Sequence, residues 1–144
     1  MKKKSVVRLV IWLLLIGIVT AFSAIYYVFN MPRRNLSKEV AVYSLAAKQL
    51  INDYQIDETF ANKKYLDKAI TVRGIIRSVR TLENHTMIFS IEDAMEGVSC
   101  TLDSADVVKY QTKLDLIKIG TEGTFKGRCA GKLMDIQIIN CIPQ

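Results

Sequence analysis

A mainly β, α+β domain behind one transmembrane helix is what this 144-residue sequence predicts, on three observations. The first is a run of uncharged residues, Leu9 to Phe29, near the N-terminus. The second is a switch at Ala69 to residues that alternate apolar and polar with a period of two. The third is the order of segments after that switch: three strand-like stretches, one helical stretch, then two more strand-like stretches.

The uncharged run, LVIWLLLIGIVTAFSAIYYVF, spans about 30 Å as a helix, the thickness of a bilayer core. Trp12 near one end and Tyr26 and Tyr27 near the other suit the two interfacial belts. Lys2, Lys3, Lys4 and Arg8 precede the run, against Arg33 and Arg34 after it. The positive-inside rule then holds residues 1–8 in the cytoplasm and exports the domain beyond the run. Ala21-Phe22-Ser23 offers a signal peptidase a small-x-small triplet, and cutting there would release a secreted domain. The apolar run continues past it to Phe29, which favours an uncleaved, single-pass signal anchor. No cysteine lies in or just after the run, so lipid modification is not expected.

Charge divides the chain at the same place. Six of the 20 Lys/Arg residues and none of the 14 Asp/Glu residues lie before residue 35. The net charge of +6 and the pI near 9.3 therefore belong to the anchor, and the rest of the chain is neutral. A neutral domain has no general attraction for polyphosphate, which weighs against nucleic acid.

Residues 30–36 read as a linker around Pro32. Residues 37–66 read as a helical lead-in. Ser37 stands as N-cap and Glu39 in the first turn of an amphipathic helix that carries Val40, Tyr43, Leu45, Ala46, Leu50 and Ile51. A second helix, from Ile56 or Asp57 to Tyr65, turns Phe60 and Tyr65 inward. The domain proper covers 67–144. AITVRGIIRSV forms a long strand with Ile70, Val72, Gly74 and Ile76 on its inner face and a bulge or bend expected at Gly74. Arg80 to His85 is a loop. TMIFSIED comes next with Met87, Phe89 and Ile91 inward, AMEG turns, and VSCTL places Val98, Cys100 and Leu102 in phase. Ser104 caps a helical stretch to Lys113. TEGTFKGRC is a fourth strand, and LMDIQIINCI a fifth after a turn at Ala130-Gly131.

Three strands, a helix and two strands, with a bend in the first, is the order of an OB-fold, a five-stranded Greek-key barrel. The chain also resembles the tRNA_anti-like family of small bacterial OB-fold proteins over residues 37 to 142. The resemblance rests on KKYLDKAITVRG (63–74), VSC (98–100), KIGTEGTFKGRCAG (118–131) and MDIQIINC (134–141). It implies a single OB domain behind an N-terminal hydrophobic segment; together with the flanking charges, the expected place for that domain is the periplasmic side of a bacterial inner membrane. It implies nucleic acid by analogy of name only, and it carries no catalytic residues that could be transferred.

Single-stranded nucleic acid needs aromatic platforms on the outer face of the second and third strands. The outward residues there are Thr86, Ile88, Ser90, Ser99 and Thr101, none of them aromatic. Arg73, Arg77 and Arg80 form a local basic group that reads equally as a solvated strand face. The one histidine, His85, lies in a loop; no nucleophile elbow, phosphate loop, paired metal ligands or carboxylate pair accompanies it. No enzyme activity, metal or cofactor is expected. The expected function is binding of a protein or envelope component through the barrel face and the loops Thr81–His85 and Ala130–Leu133. Arg73, Arg77, His85, Ile88 and Lys132 are the candidate contacts. Single-stranded nucleic acid, bound as an anticodon-binding domain binds it, is the alternative.

Three cysteines remain. Zinc would want four grouped ligands, and no C-x-x-C pair is present. In an exported domain the default is a structural disulfide. A regular hairpin turning near Gly131 puts Cys129 opposite about Met134, leaving Cys141 roughly 20 Å away. That excludes Cys129–Cys141 unless the hairpin is irregular. Strands three and five are neighbours in an OB topology, so Cys100–Cys141 is favoured. Phase opposes it unless a bulge intervenes, and Cys129 stays the alternative partner.

Overall fold

The computed structural model describes residues 2–29, 36, 38–93 and 96–144. The chain divides into two compact units, Met1–Arg34 and Asn35–Gln144. The first is one helix, α1 (Lys2–Phe29). Its stretch Ile11–Phe29 has a mean hydropathy of 2.2, long and apolar enough to cross a membrane. Thr20, near the middle of that stretch, donates to the carbonyls of Ile16 and Gly17, so its hydroxyl is paired within the helix.

The second unit holds a short strand β1 (Tyr43–Ala46), helices α2 (Ala47–Ile56) and α3 (Glu58–Tyr65), and strands β2 (Ala69–Thr81), β3 (Met87–Ile91) and β4 (Val98–Leu102). Helices α4 (Ser104–Lys109) and α5 (Gln111–Leu114) come next, then β5 (Glu122–Lys132) and β6 (Ile136–Pro143). The sheet order β1-β2-β3-β4-β6-β5, with β5 pairing back onto β2, closes a five-stranded barrel and leaves β1 as an added edge strand. This is the OB-type α+β architecture. Ile70, Val72, Ile76, Phe89, Ile91, Val98, Leu102, Phe125 and Ile138 fill the barrel, with the Phe89 and Phe125 rings 4.9 Å apart. Helices α2 and α3 bury Ala47, Leu50, Tyr54, Ala61 and Tyr65 as part of the same core.

Five local expectations are corrected. The helix expected from Ser37 begins only at Ala47. Tyr43–Ala46 instead runs parallel to Ile70–Arg73 of β2. The residues there, YSLA, alternate half-buried and exposed with period two, and pairing to β2 satisfies the backbone groups on that side of the strand. Most of the 30–36 linker, and Ser37, fall outside the described residues. Phe60 is 61% exposed, because Asp57 caps α3 by accepting from the Phe60 amide and so sets Ala61 and Tyr65 inward.

Gly74 is not the bulge. It pairs regularly with Gly123, and the register of β2 shifts between Ile76 and Ser78. Gly74 is small because a Cβ there would come within 2.6 Å of Ile91 and 2.9 Å of Ala47. The helix after β4 breaks at Tyr110 into α4 and α5, and Ser104 is its first residue, after Asp103 in the cap position. The last hairpin turns at Leu133–Asp135, beyond Gly131. Two bulges offset each other: the one at Lys126/Arg128 puts its extra residue on β6, between Ile139 and Ile142, and the one at Cys129/Gly131 puts it on β5. Gly131, at φ +95°, supplies the left-handed conformation that the second bulge needs.

Candidate functional site

The β2–β3 hairpin and the α4–α5 pair enclose a cleft of about 700 Å³. The hairpin loop is built by local polar geometry. The Leu82 amide donates to the Thr86 carbonyl and the His85 amide to the Leu82 carbonyl, both at 2.9 Å. The Asn84 side chain accepts from the Thr86 amide, and His85 takes φ +62°, which suits a short turn. The loop thereby carries Asn84 and His85 to the rim of the cleft. Met87, Val107 and Leu114 form its less exposed apolar wall. Val108 stands 73% exposed at the edge, and Ser104, Gln111 and Asp115 complete the polar rim.

Sequence reasoning found one side of this cleft, through His85, and missed the other. The α4–α5 contribution was legible only as VV in SADVVKYQTKL. One valine of that pair must face away from the core once the other turns toward it.

The remaining sequence candidates are not gathered around His85. Arg73 is ion-paired to Glu122 at 3.3 Å, both largely exposed. Arg77 donates through Nε to the Glu92 carbonyl at 2.9 Å. Ile88 sits on the outer face of the sheet between Arg80 of β2 and Thr101 of β4. Lys132 closes β5 opposite Ile136. Only His85 lines the cleft.

The outer face of β3 and β4 differs from expectation in access. Thr86, Ser90 and Ser99 point outward by phase yet are nearly buried, at 9%, 5% and 5% exposure. The register aligns Ser78, Ser90, Ser99 and Gln137 in one row across four strands. Their short side chains sink between longer neighbours, so the face is a shallow polar seam. It offers no ring on which a base could stack.

A second polar cluster fastens the helices to the barrel. Tyr65 donates to Asp53 at 2.6 Å and Lys64 approaches the same carboxylate at 3.1 Å. The Tyr65 hydroxyl, with Lys64 helping, holds the Asp53 carboxyl below its ordinary range. Tyr54 donates to Asn62 and meets the Cys129 sulfur at 3.4 Å; burial above all pushes the Tyr54 hydroxyl far up. This cluster is fully paired and structural.

All three cysteines are buried free thiols. Cys129 lies opposite Ile138, because the hairpin turns at Leu133–Asp135 and not near Gly131, and the Cys129/Gly131 bulge then shifts the pairing by one residue. Cys141 points into the core because Asn140, at φ +53°, reverses the strand phase just before it. Burial, then the neighbouring Cys100 thiol, raises the Cys141 thiol well above its usual range, so it is not poised as a nucleophile. Among the described residues, no group of three or more His, Cys, Asp and Glu side chains gathers as a metal site.

A closed OB barrel with an apolar-walled cleft, following an apolar helix, defines a small OB-domain protein of the kind that presents a groove on a rigid scaffold. The chain belongs to the tRNA_anti-like family, whose model matches residues 1–142. No curated protein matches it. Among solved structures it is similar to a lipoprotein of Klebsiella pneumoniae subsp. pneumoniae, provisionally named as nucleic acid-binding. The identity is 15% and the TM-score 0.57, over 70% of this chain and 90% of that one, which shows a shared fold. A provisionally named aspartyl-tRNA synthetase of Leishmania major aligns at 12% identity and a TM-score of 0.41. It covers 77% of this chain and 22% of that one, too loosely to carry an argument.

Proposed function

We propose that the protein is a non-catalytic binding module, anchored in the bacterial inner membrane by α1, with its OB domain outside the cytoplasm. In this reading the cleft between the β2–β3 loop and α4–α5 holds an apolar part of a protein or other envelope partner. The carrying observation is the cleft itself: about 700 Å³, an apolar wall of Met87, Val107 and Leu114, and a rim of polar side chains that can orient a ligand. His85 serves as a hydrogen-bonding rim residue. The basic N-terminus and the neutral domain support the orientation.

The test is a photo-crosslinking side chain at position 108, compared in living cells with one at position 56, an equally exposed isoleucine away from the cleft. The expected result is one discrete adduct from position 108 alone, abolished by Met87→Glu in the same chain. Equal labelling from both positions would sink the cleft as the binding site.

A second reading is single-stranded nucleic acid, supported by the provisional name of the Klebsiella pneumoniae neighbour. It predicts an oligonucleotide affinity that falls steeply as salt rises. Fluorescence anisotropy of the domain with single-stranded DNA and RNA between 50 and 200 mM salt (roughly the range where such losses are large) separates the two. Tight, salt-sensitive binding would replace the envelope reading.

A further inference from the structure

We propose that Cys100 and Cys141 form a disulfide across the β4–β6 seam in the exported protein, and that Cys129 remains a thiol. The proposal rests on the placement of the domain outside the cytoplasm under its proposed function, where thiols oxidise.

The β4–β6 pairing closes the barrel, yet it is only three residue pairs long, Val98–Cys100 against Ile136–Ile138. Its two strands are parallel, and no tight turn joins them. Cys100 is the last residue of that seam. Cys141, three residues past Cys100's partner Ile138, would lie beyond reach on a straight strand. Asn140 removes that distance. Its left-handed backbone folds Cys141 back, so that the thiol donates to the Ile138 carbonyl at 3.3 Å, beside Cys100. Gly127 leaves the space: a Cβ there would stand 2.8 Å from the Cys141 sulfur.

The other two pairings fail on geometry. Cys100 and Cys129 both pair with Ile138, from opposite sides, which separates them by two strand spacings, roughly 9.5 Å. That exceeds the Cα separation a disulfide tolerates. Cys129 faces Ile138 rather than Cys141, and its sulfur is engaged by the Tyr54 hydroxyl.

Oxidation proceeds by two exchanges. A Cys100 or Cys141 thiolate attacks the disulfide of a thiol–disulfide oxidase, forms a mixed disulfide and releases one oxidase thiolate. The second cysteine's thiolate attacks the protein sulfur of that mixed disulfide, forms the Cys100–Cys141 bond and releases the other oxidase thiolate. The two cysteines lose two protons and two electrons, and the oxidase becomes a dithiol. Both thiols are fully buried, so the exchange belongs to folding, before the seam closes.

The test traps the full-length protein in its own membrane with acid and alkylates free thiols under denaturing conditions. It is then reduced and labelled a second time. Peptide mapping is expected to put the first label on Cys129 and the second on Cys100 and Cys141. First label on all three, or Cys129 in any disulfide, overturns the proposal. Refolding the detergent-solubilised full chain with glutathione disulfide separates the two assumptions. If Cys100–Cys141 forms there while cells hold three thiols, the cellular placement has failed; if it does not form in vitro, the pairing has. Cys129→Ser is expected to leave disulfide yield unchanged, and reduction of the oxidised chain to lower its melting temperature by several degrees. A Cys129→Ser chain that cannot oxidise overturns the assignment.

Discussion

Gly74 and Asp53 show how single side chains hold this domain. Gly74 sits where β2, β3 and α2 meet, with no room for a methyl group. Gly74→Ala is therefore expected to cost about 1–3 kcal/mol by overpacking, measured by urea unfolding of the detergent-solubilised chain. An unchanged midpoint would show that Ile91 and Ala47 yield easily. Asp53 acts through the Tyr65 hydroxyl. Its folded carboxyl is depressed, so its contribution is complete above the unfolded carboxylate range, near pH 4, and is lost as pH falls through the lower folded value. Tyr65→Phe is expected to cost about 1 kcal/mol at pH 7. The gap to wild type should narrow below about pH 4. A gap constant down to about pH 2 would mean that the loss is packing alone.

Among the elements, β6 depends most on one backbone conformation. Asn140 occupies the left-handed region, where glycine is at ease and β-branched residues are strained. Asn140→Gly is expected to unfold within about 0.5 kcal/mol of wild type, and Asn140→Val to cost about 1–3 kcal/mol. Equal effects from both would mean that the Asn140 side chain, not its φ, matters. The α4–α5 pair behaves differently. None of α4 is buried, so its exposed valine does not serve the core. Val108→Asp is expected to change stability by less than about 0.5 kcal/mol while removing partner capture at the cleft. Loss of folding together with capture would make Val108 a structural residue after all.

For the whole molecule, the two units predict separable behaviour. A fragment beginning at residue 36 contains the entire hydrophobic core and every barrel pairing. It is expected to fold with a single cooperative transition and to stay monodisperse without detergent. Its neutral charge predicts no affinity for anionic vesicles, whereas the full chain, which keeps α1 and all six surplus cations, should partition into them. Vesicle sedimentation checks both, and binding by the fragment would reveal a surface that the charge balance hides.

The sequence by itself determined the long apolar N-terminal helix, the strand order and most of the core, because these rest on local signals. A long uncharged run, a period-two alternation and the position of one helical stretch between strands are readable without partners. The inward phases of Ile70, Val72, Phe89, Cys100, Phe125 and Ile138 come from the same alternation. Only the tertiary structure decided where pairing departs from regularity. YSLA became a strand because β2 offered a free edge; the last hairpin took two bulges, one on β6 and one on β5, that cancel in length while changing which residues face the core between them. Those shifts turned Cys141 inward and moved Cys129 opposite Ile138, and no spacing rule encodes them. The cleft belongs to the same category. His85 and Val108 share it although they lie on different elements, and contact across a closed sheet is settled by how the strands curve, not by what stands next to what along the chain.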